Sequence, residues 1–289
     1  MSFGSRLPTW IRARKLQLDD LATVKKRLRK GGLATVCEEA RCPNRSECFN
    51  HGTATFLING QICTRSCRYC SIAHGRPKAL ETNEAERLVE TVLDMDLSHV
   101  VITAVDRDDL DDGGATGFVR CIELLQELNA KPAVEVLTPD FRGDMEQVDR
   151  IVAAGPDVFN HNIETIERLY PMMRRSGRYE WALKVLKRVS ETSKTIVRKS
   201  GLMVGLGETH KEVLEVLHDL RNNGCQVVTI GQYLQPTPQQ VEVQRYWSPE
   251  EFDELRVDGE KLGLEVIAGP FVRSSYHAEE AFLKIKTSQ

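Results

Sequence analysis

From residue 53 onward the chain alternates two hydrophobic periods. Short, β-branched, mostly apolar runs at 53–59 (TATFLIN), 99–105 (HVVITAV), 133–139 (AVEVLTP), 157–163 (DVFNHNI), 194–206 (KTIVRKSGLMVGL) and 226–234 (QVVTIGQYL) read as strands buried on both faces. Between and after them, apolar positions recur at helical spacing, as in Ala85, Leu88, Val89, Val92 and Leu93. That period predicts helices over 83–96, 117–128, 144–153, 178–191, 210–222 and 249–262. The six βα units imply a parallel sheet covered by helices, as a closed barrel, an incomplete barrel or an open doubly wound sheet, and six are too few for the full eightfold barrel. In each case the site forms at the C-terminal ends of the strands, where the polar loops 60–76, 106–116, 160–165, 207–209 and 235–240 converge. An N-terminal segment, 1–52, and a tail, 263–289, with a possible last strand in LEVIAG, flank the repeat.

Composition narrows the class. The 289 residues are 41% hydrophobic, yet no apolar run approaches the roughly 18 residues that cross a bilayer, and the first residues hold no apolar export signal. A cytoplasmic location is the expectation. The net charge of −3 is unevenly placed, since residues 1–36 carry +7 and the rest −10. Such a basic arm suits nucleic acid, a membrane surface or an acidic protein, and equally the solvated face of a helix with Leu18, Leu21, Val24 and Leu28 on its apolar side. Eight cysteines without an export signal point to metal or redox chemistry rather than disulfides. Cys121 and Cys225 sit among apolar residues and read as small core side chains.

The other six fall into two triplets. Cys63, Cys67 and Cys70 are spaced C-x3-C-x2-C on the loop after the first strand of the repeat. Three thiolates on one short loop hold three irons of a 4Fe–4S cubane and leave the fourth iron open to a cofactor or substrate. Cys37, Cys42 and Cys48, spaced C-x4-C-x5-C, suggest a second cluster whose missing ligand comes from a distant segment, with the tail as candidate. A zinc-binding loop would instead favour paired C-x2-C spacing and a fourth ligand.

CTRSCRYC, with Tyr69 before the last cysteine, resembles the radical S-adenosylmethionine superfamily. That resemblance implies an incomplete (β/α)6 TIM-type barrel over 53–262, with 1–52 and 263–289 as extensions. Together TVCEEARCPNRSEC, CTRSCRYC, TAVDRDDLDDGGA, VFNHNIET, KSGLMVGLGET, GQYLQPT and GPFVRSSYHAEEAF resemble the lipoyl synthase family over residues 35–282. The family resemblance implies two 4Fe–4S clusters and S-adenosylmethionine. Cys63, Cys67 and Cys70 would carry the radical-generating cluster, and Cys37, Cys42, Cys48 and the tail serine Ser275 the auxiliary one. Chemistry alone does not choose between Ser274 and Ser275. By the superfamily's pattern, Gly113 and Gly114 would meet the methionine amino group, Asn162 and Glu164 the ribose or the amino group, and Gly205 and Gly207 the adenine side. His51, His161 and His277 receive no role.

The implied reaction inserts two sulfur atoms, at C6 and C8 of an octanoyl chain on a carrier lysine. Those carbons are unactivated, so acid, base or nucleophile cannot open them and a carbon radical is required. The auxiliary cluster then serves as sulfur donor. Implied partners are octanoylated carrier domains, such as dehydrogenase E2 subunits and the glycine cleavage H protein, and a reductant such as ferredoxin or flavodoxin. Neither nucleic acid nor membrane is expected as a partner. The basic arm, with Lys25, Lys26 and Arg27, would face an acidic carrier. Two alternatives are a radical methylthiotransferase acting on transfer RNA, against which the RSSY tail stands, and a metal-binding module without catalysis.

Overall fold

A computed structural model describes residues 7–12, 33–35, 44, 53–275 and 278–287. Cys37, Cys42 and Cys48, and the arm cations Lys25, Lys26 and Arg27, lie outside the described residues. Seven parallel strands succeed one another in chain order: β2 (Thr53–Ile58), β3 (His99–Ala104), β4 (Ala133–Leu137), β5 (Val158–Asn160), β6 (Val197–Val204), β7 (Val227–Gln232) and β8 (Glu265–Gly269). The sheet is open, with β8 bonded to β7 alone among the described strands. The six expected strands and LEVIAG are thus all present. A two-residue strand, β1 (Ala34–Thr35), was not among the expectations; it pairs antiparallel with Leu57 and Phe56 of β2 and covers that edge.

Helices α1 (Glu84–Met95), α2 (Ala115–Gln126), α3 (Met145–Ala154), α4 (Tyr179–Thr192), α5 (His210–Asn222) and α6 (Pro249–Lys261) return the chain from strand to strand on the outside of the sheet. Local sequence fixes where they begin and end. Thr209 with Glu212, and Ser248 with Glu251, form reciprocal capping boxes at α5 and α6, and Gly155 ends α3 in the left-handed region at φ 76°. The helices bury Leu88, Phe118, Ile122 and Ile151 against one half of the sheet, and Leu186, Leu217 and Phe252 against the other.

A last helix, α7 (Ala278–Thr287), closes the other end of the barrel. Phe282 packs with Val158, Val197 and Val227, the first residues of β5, β6 and β7, so this helix plugs the N-terminal ends of the strands. Above the plug lies a buried polar layer. Lys199 donates from Nζ to Glu135 at 3.0 and 3.1 Å, Asn160 donates to the same carboxylate at 2.9 Å, and His99 Nε2 stands 3.6 Å from it. Glu135 and Lys199 sit one pleat period below Leu137 and Gly201, so this layer is the floor of the cavity described below.

Burial alone would raise the Glu135 carboxyl, but Lys199, His99 and Asn160 together hold it down at about 2. Its ordinary value is 4.5, so the pair's contribution is fully present above that pH and is lost as pH falls toward 2. Equilibrium unfolding measured between neutral pH and pH 3 should therefore show stability declining through the acid range. Lys199→Met, which leaves a buried carboxylate unpaired, should cost about 3–5 kcal/mol at pH 7 and weaken that acid dependence.

Candidate active site

The loops after β2, β3, β4, β5, β7 and β8, with Gly201, Leu202 and Met203 of β6, surround a cavity of about 690 Å³ at the C-terminal ends of the strands. That volume lies in the range of roughly 300–1,000 Å³ usual for cofactor sites. Cys63, Cys67 and Cys70 all line it. Their loop is fastened to three neighbours. Cys63 exchanges backbone hydrogen bonds with Ala73 and Gly75, Thr64 donates from N–H and hydroxyl to Asp106 O at 3.0 and 2.9 Å, and Arg68 N–H donates to Met173 O at 2.9 Å. Gln240, from the loop after β7, donates to Cys70 O at 3.1 Å. The thiols are therefore placed by backbone, ahead of any metal.

Arg65, between the first two cysteines and only 4% exposed, holds the loop from within. Its guanidinium bonds Asp108 at 2.7 and 2.8 Å and Asp140 at 2.8 Å twice, and stands 3.2 Å from Asp106. One planar fork thus joins the loops after β2, β3 and β4. Arg174 adds a second cation 3.3 Å from Asp140. Burial would raise the Asp140 carboxyl; the bonds from Arg65 and the charges of both arginines bring it down to about 2. Asp106 is pushed up by desolvation against the pull of Arg65 and Arg174.

Burial also raises the thiols, Cys67 to about 11 and Cys70 to about 12, and Cys63 in the same direction with help from Asp106. Thiols so raised stay protonated at neutral pH until a metal displaces the proton. Among the described residues no three His, Cys, Asp or Glu side chains converge closely enough for a single ion. A cubane sets a different demand, because each thiolate takes its own iron and the sulfurs stand apart. Cys63 Sγ also accepts from Arg65 N–H at 3.3 Å, the kind of backbone bond that stabilises cluster thiolates. The donor set fits a cluster held by three cysteines.

On the opposite wall, Asn162 and Glu164 line the cavity just beyond β5, bonded Nδ2 to Oε1 at 3.2 Å. Glu164 takes φ 66°, and burial raises its carboxyl despite Arg174. The tail arrives beside them. Ser274 donates to Asn162 Oδ1 at 3.0 Å, and Ser275 Oγ accepts from Thr55 Oγ1 of β2 at 2.9 Å. Gly201 makes room for this junction, since a Cβ there would stand 2.6 Å from Asn162 Oδ1 and 2.9 Å from Ser274 Oγ. Asn44, which lies in sequence between Cys42 and Cys48, donates to Phe271 O only four residues before Ser275.

The glycine expectations fare differently. Gly113 and Gly114 do not line the cavity. Gly114 O accepts from Asn59 Nδ2 at 2.9 Å, and both glycines, at φ 58° and 88°, turn the chain into α2. Gly205 and Gly207 lie outside the lining too. There Glu208 accepts from Gly205 N–H, Leu206 N–H and Trp247 Nε1, which fixes a turn. Missed from sequence were Arg65, Asp106, Asp140, Arg174 and Thr55, polar residues whose partners are remote in the chain.

The Radical SAM superfamily model matches residues 58–220. Lipoyl synthases of Yersinia pestis (strain Pestoides F) and Yersinia pseudotuberculosis (serotype O:1b, strain IP 31758) are each 52% identical over 278 residues, covering 95% of this chain and 86% of theirs. The chain belongs to the lipoyl synthase family. Solved structures agree on the fold. Streptococcus suis SuiB bound to S-adenosylmethionine superimposes with a TM-score of 0.58 at 12% identity, over 78% of this chain and 53% of that one. Methylornithine synthase gives 0.55 at 14% identity, over 89% and 83%. Membership in the lipoyl synthase family carries S-adenosylmethionine and 4Fe–4S clusters as cofactors, and the three-cysteine loop is the place in this chain that fits the radical-generating one.

If Arg65 shapes that loop, Arg65→Met should leave three acids without their shared cation and destabilise the protein by about 3–5 kcal/mol. After anaerobic reconstitution the variant should hold about four fewer irons per chain, measured by iron assay against the unaltered protein.

Proposed function

We propose that this chain inserts two sulfur atoms into an octanoyl group amide-linked to a lysine of a carrier protein, with the auxiliary cluster as sulfur donor. The observation that carries this reading is the meeting, in one cavity, of the three-cysteine loop with the tail serines. When bound, S-adenosylmethionine on the open iron supplies, after one-electron reduction, a carbon radical able to take hydrogen from unactivated C–H bonds. The protein's part is position and exclusion of water. Cys63, Cys67 and Cys70 would hold three irons of the radical-generating cluster. Asn162 and Glu164 offer an amide and a carboxylate to the cofactor's polar groups. Leu57, Val105 and Leu137 give the octanoyl chain an apolar wall.

Ser275, assigned as fourth ligand of the cluster on Cys37, Cys42 and Cys48, is the better placed of the two tail serines. Ser274 donates to Asn162, whereas Ser275 Oγ accepts from Thr55 and lies on the same tail that Asn44 grips. An oxygen among thiolates makes one iron a harder centre than its neighbours. Ser275 would thus mark one iron of that cluster as chemically distinct. Suitable carriers are dehydrogenase E2 domains and the glycine cleavage H protein, and a ferredoxin or flavodoxin is a fitting reductant. No described helix is long and apolar enough to cross a membrane.

The test is mass spectrometry of an octanoyl-lysine peptide after incubation with reconstituted protein, dithionite and S-adenosylmethionine. Two sulfurs replacing two hydrogens support the assignment, and an unchanged peptide contradicts it. In Ser275→Ala, sulfur insertion should fall at least about a hundredfold and about four irons should be lost, while reductive cleavage of S-adenosylmethionine persists. Intact iron content and insertion in that variant would remove Ser275 from the site.

A further inference from the structure

The cavity mouth is flanked by a strip of positive charge that the reaction as described does not use. Residues 61–80 contain no Asp or Glu, and neither do residues 169–179. These segments touch at the Arg68 N–H to Met173 O bond and are taken together as one strip. Arg68, Arg76, Lys78, Arg175 and Arg178 are exposed along it, with Met172 43% exposed among them. None of the five cations forms an ion pair with a described residue, although Arg178 lies over the Trp181 ring at 5.0 Å. Elsewhere exposed cations are commonly matched, as in Arg120 with Glu86, Arg168 with Glu212, Arg188 with Asp149 and Arg256 with Glu260. Of the acids close by, Asp106, Asp108 and Asp140 face Arg65, and Glu81 pairs with Arg87. In a chain of net charge −3, five cations at one rim with no ion pair to a described residue run against the average.

We infer that this strip is the docking surface for the acylated carrier, and that the carrier presents acidic side chains around its modified lysine. The inference rests on the functional reading above, which requires a lysine side chain to enter this mouth. Arg68 and His74 line the cavity as well as facing outward, so whatever protein surface surrounds that lysine must lie against the strip. Beside it, the loop after β7, which donates from Val241 N–H to Arg68 O at 3.0 Å, presents Gln235, Gln239 and Gln240 and adds no charge there. The strip therefore supplies attraction and orientation, and aligns the carrier before the acyl chain enters.

The experiment uses the reconstituted full chain carrying Arg76→Glu, Lys78→Glu and Arg175→Glu, none of which lines the cavity. Two substrates are compared: an intact octanoylated carrier domain, and a short octanoyl-lysine peptide without acidic residues. At low ionic strength the apparent KM for the carrier should rise about tenfold and lose most of its salt dependence, with kcat within about twofold. Conversion of the peptide should stay within about twofold, which also shows that the variant is folded and loaded. An unchanged carrier KM, or an equal loss on the peptide, would overturn the docking surface. So would an unchanged KM together with lost retention on an RNA column, which would reassign the strip to nucleic acid. If the unaltered protein converts neither substrate, the functional reading falls and this surface with it.

Discussion

A single buried guanidinium sets the geometry of this site. Arg65 lies between two of the three loop cysteines and reaches carboxylates on the loops after β3 and β4. Loops at the end of a parallel sheet have few backbone partners of their own. A fork with fixed donor directions binds three of them at angles a flexible ammonium would not impose. Removing three carboxylates and a guanidinium from water costs several kcal/mol per ion, and mutual pairing offsets it only when all members are present. The network is therefore cooperative, and the cysteine loop inherits its rigidity.

From that fixed loop the rest of the cavity follows. The polar layer of Glu135, Lys199 and Asn160 forms the floor, and Phe282 of the last helix seals the barrel beneath it. The tail crosses the open top, where Ser274 and Ser275 tie β5 and β2 together through Asn162 and Thr55. The C-terminal segment thus serves both ends of the barrel, as wall above and plug below. Radical chemistry demands such enclosure, since water and stray hydrogen donors would compete for the reactive carbon.

Most of the architecture was legible from periodicity. Apolar strands near full burial and amphipathic helices differ in period, and β2 to β7 and α1 to α6 fall within a few residues of the expected ranges. β1 escaped because two residues carry no period. At the site, spacing alone marked Cys63, Cys67 and Cys70, since metal chemistry ties function to local sequence. Arg65 was not legible: its partners Asp108 and Asp140 are 43 and 75 residues away, and an arginine between cysteines looks like any loop cation. Gly113 and Gly114 lie outside the cavity lining, and a glycine pair that forms a turn looks the same in sequence as one that exposes carbonyls to a ligand.

What distinguishes this cavity is the tail, whose Ser274 and Ser275 line it beside the cysteine loop. On the function proposed above, that tail would bring a second, consumable cluster to the same space, and sulfur in the product would come from the protein itself. The most direct measurement is a single turnover with protein whose clusters were reconstituted from heavy-isotope sulfide, in medium containing only light sulfide, followed by mass spectrometry of the acyl-lysine product. The account predicts that both inserted sulfur atoms carry the heavy isotope. Light sulfur in the product of that first turnover would contradict it.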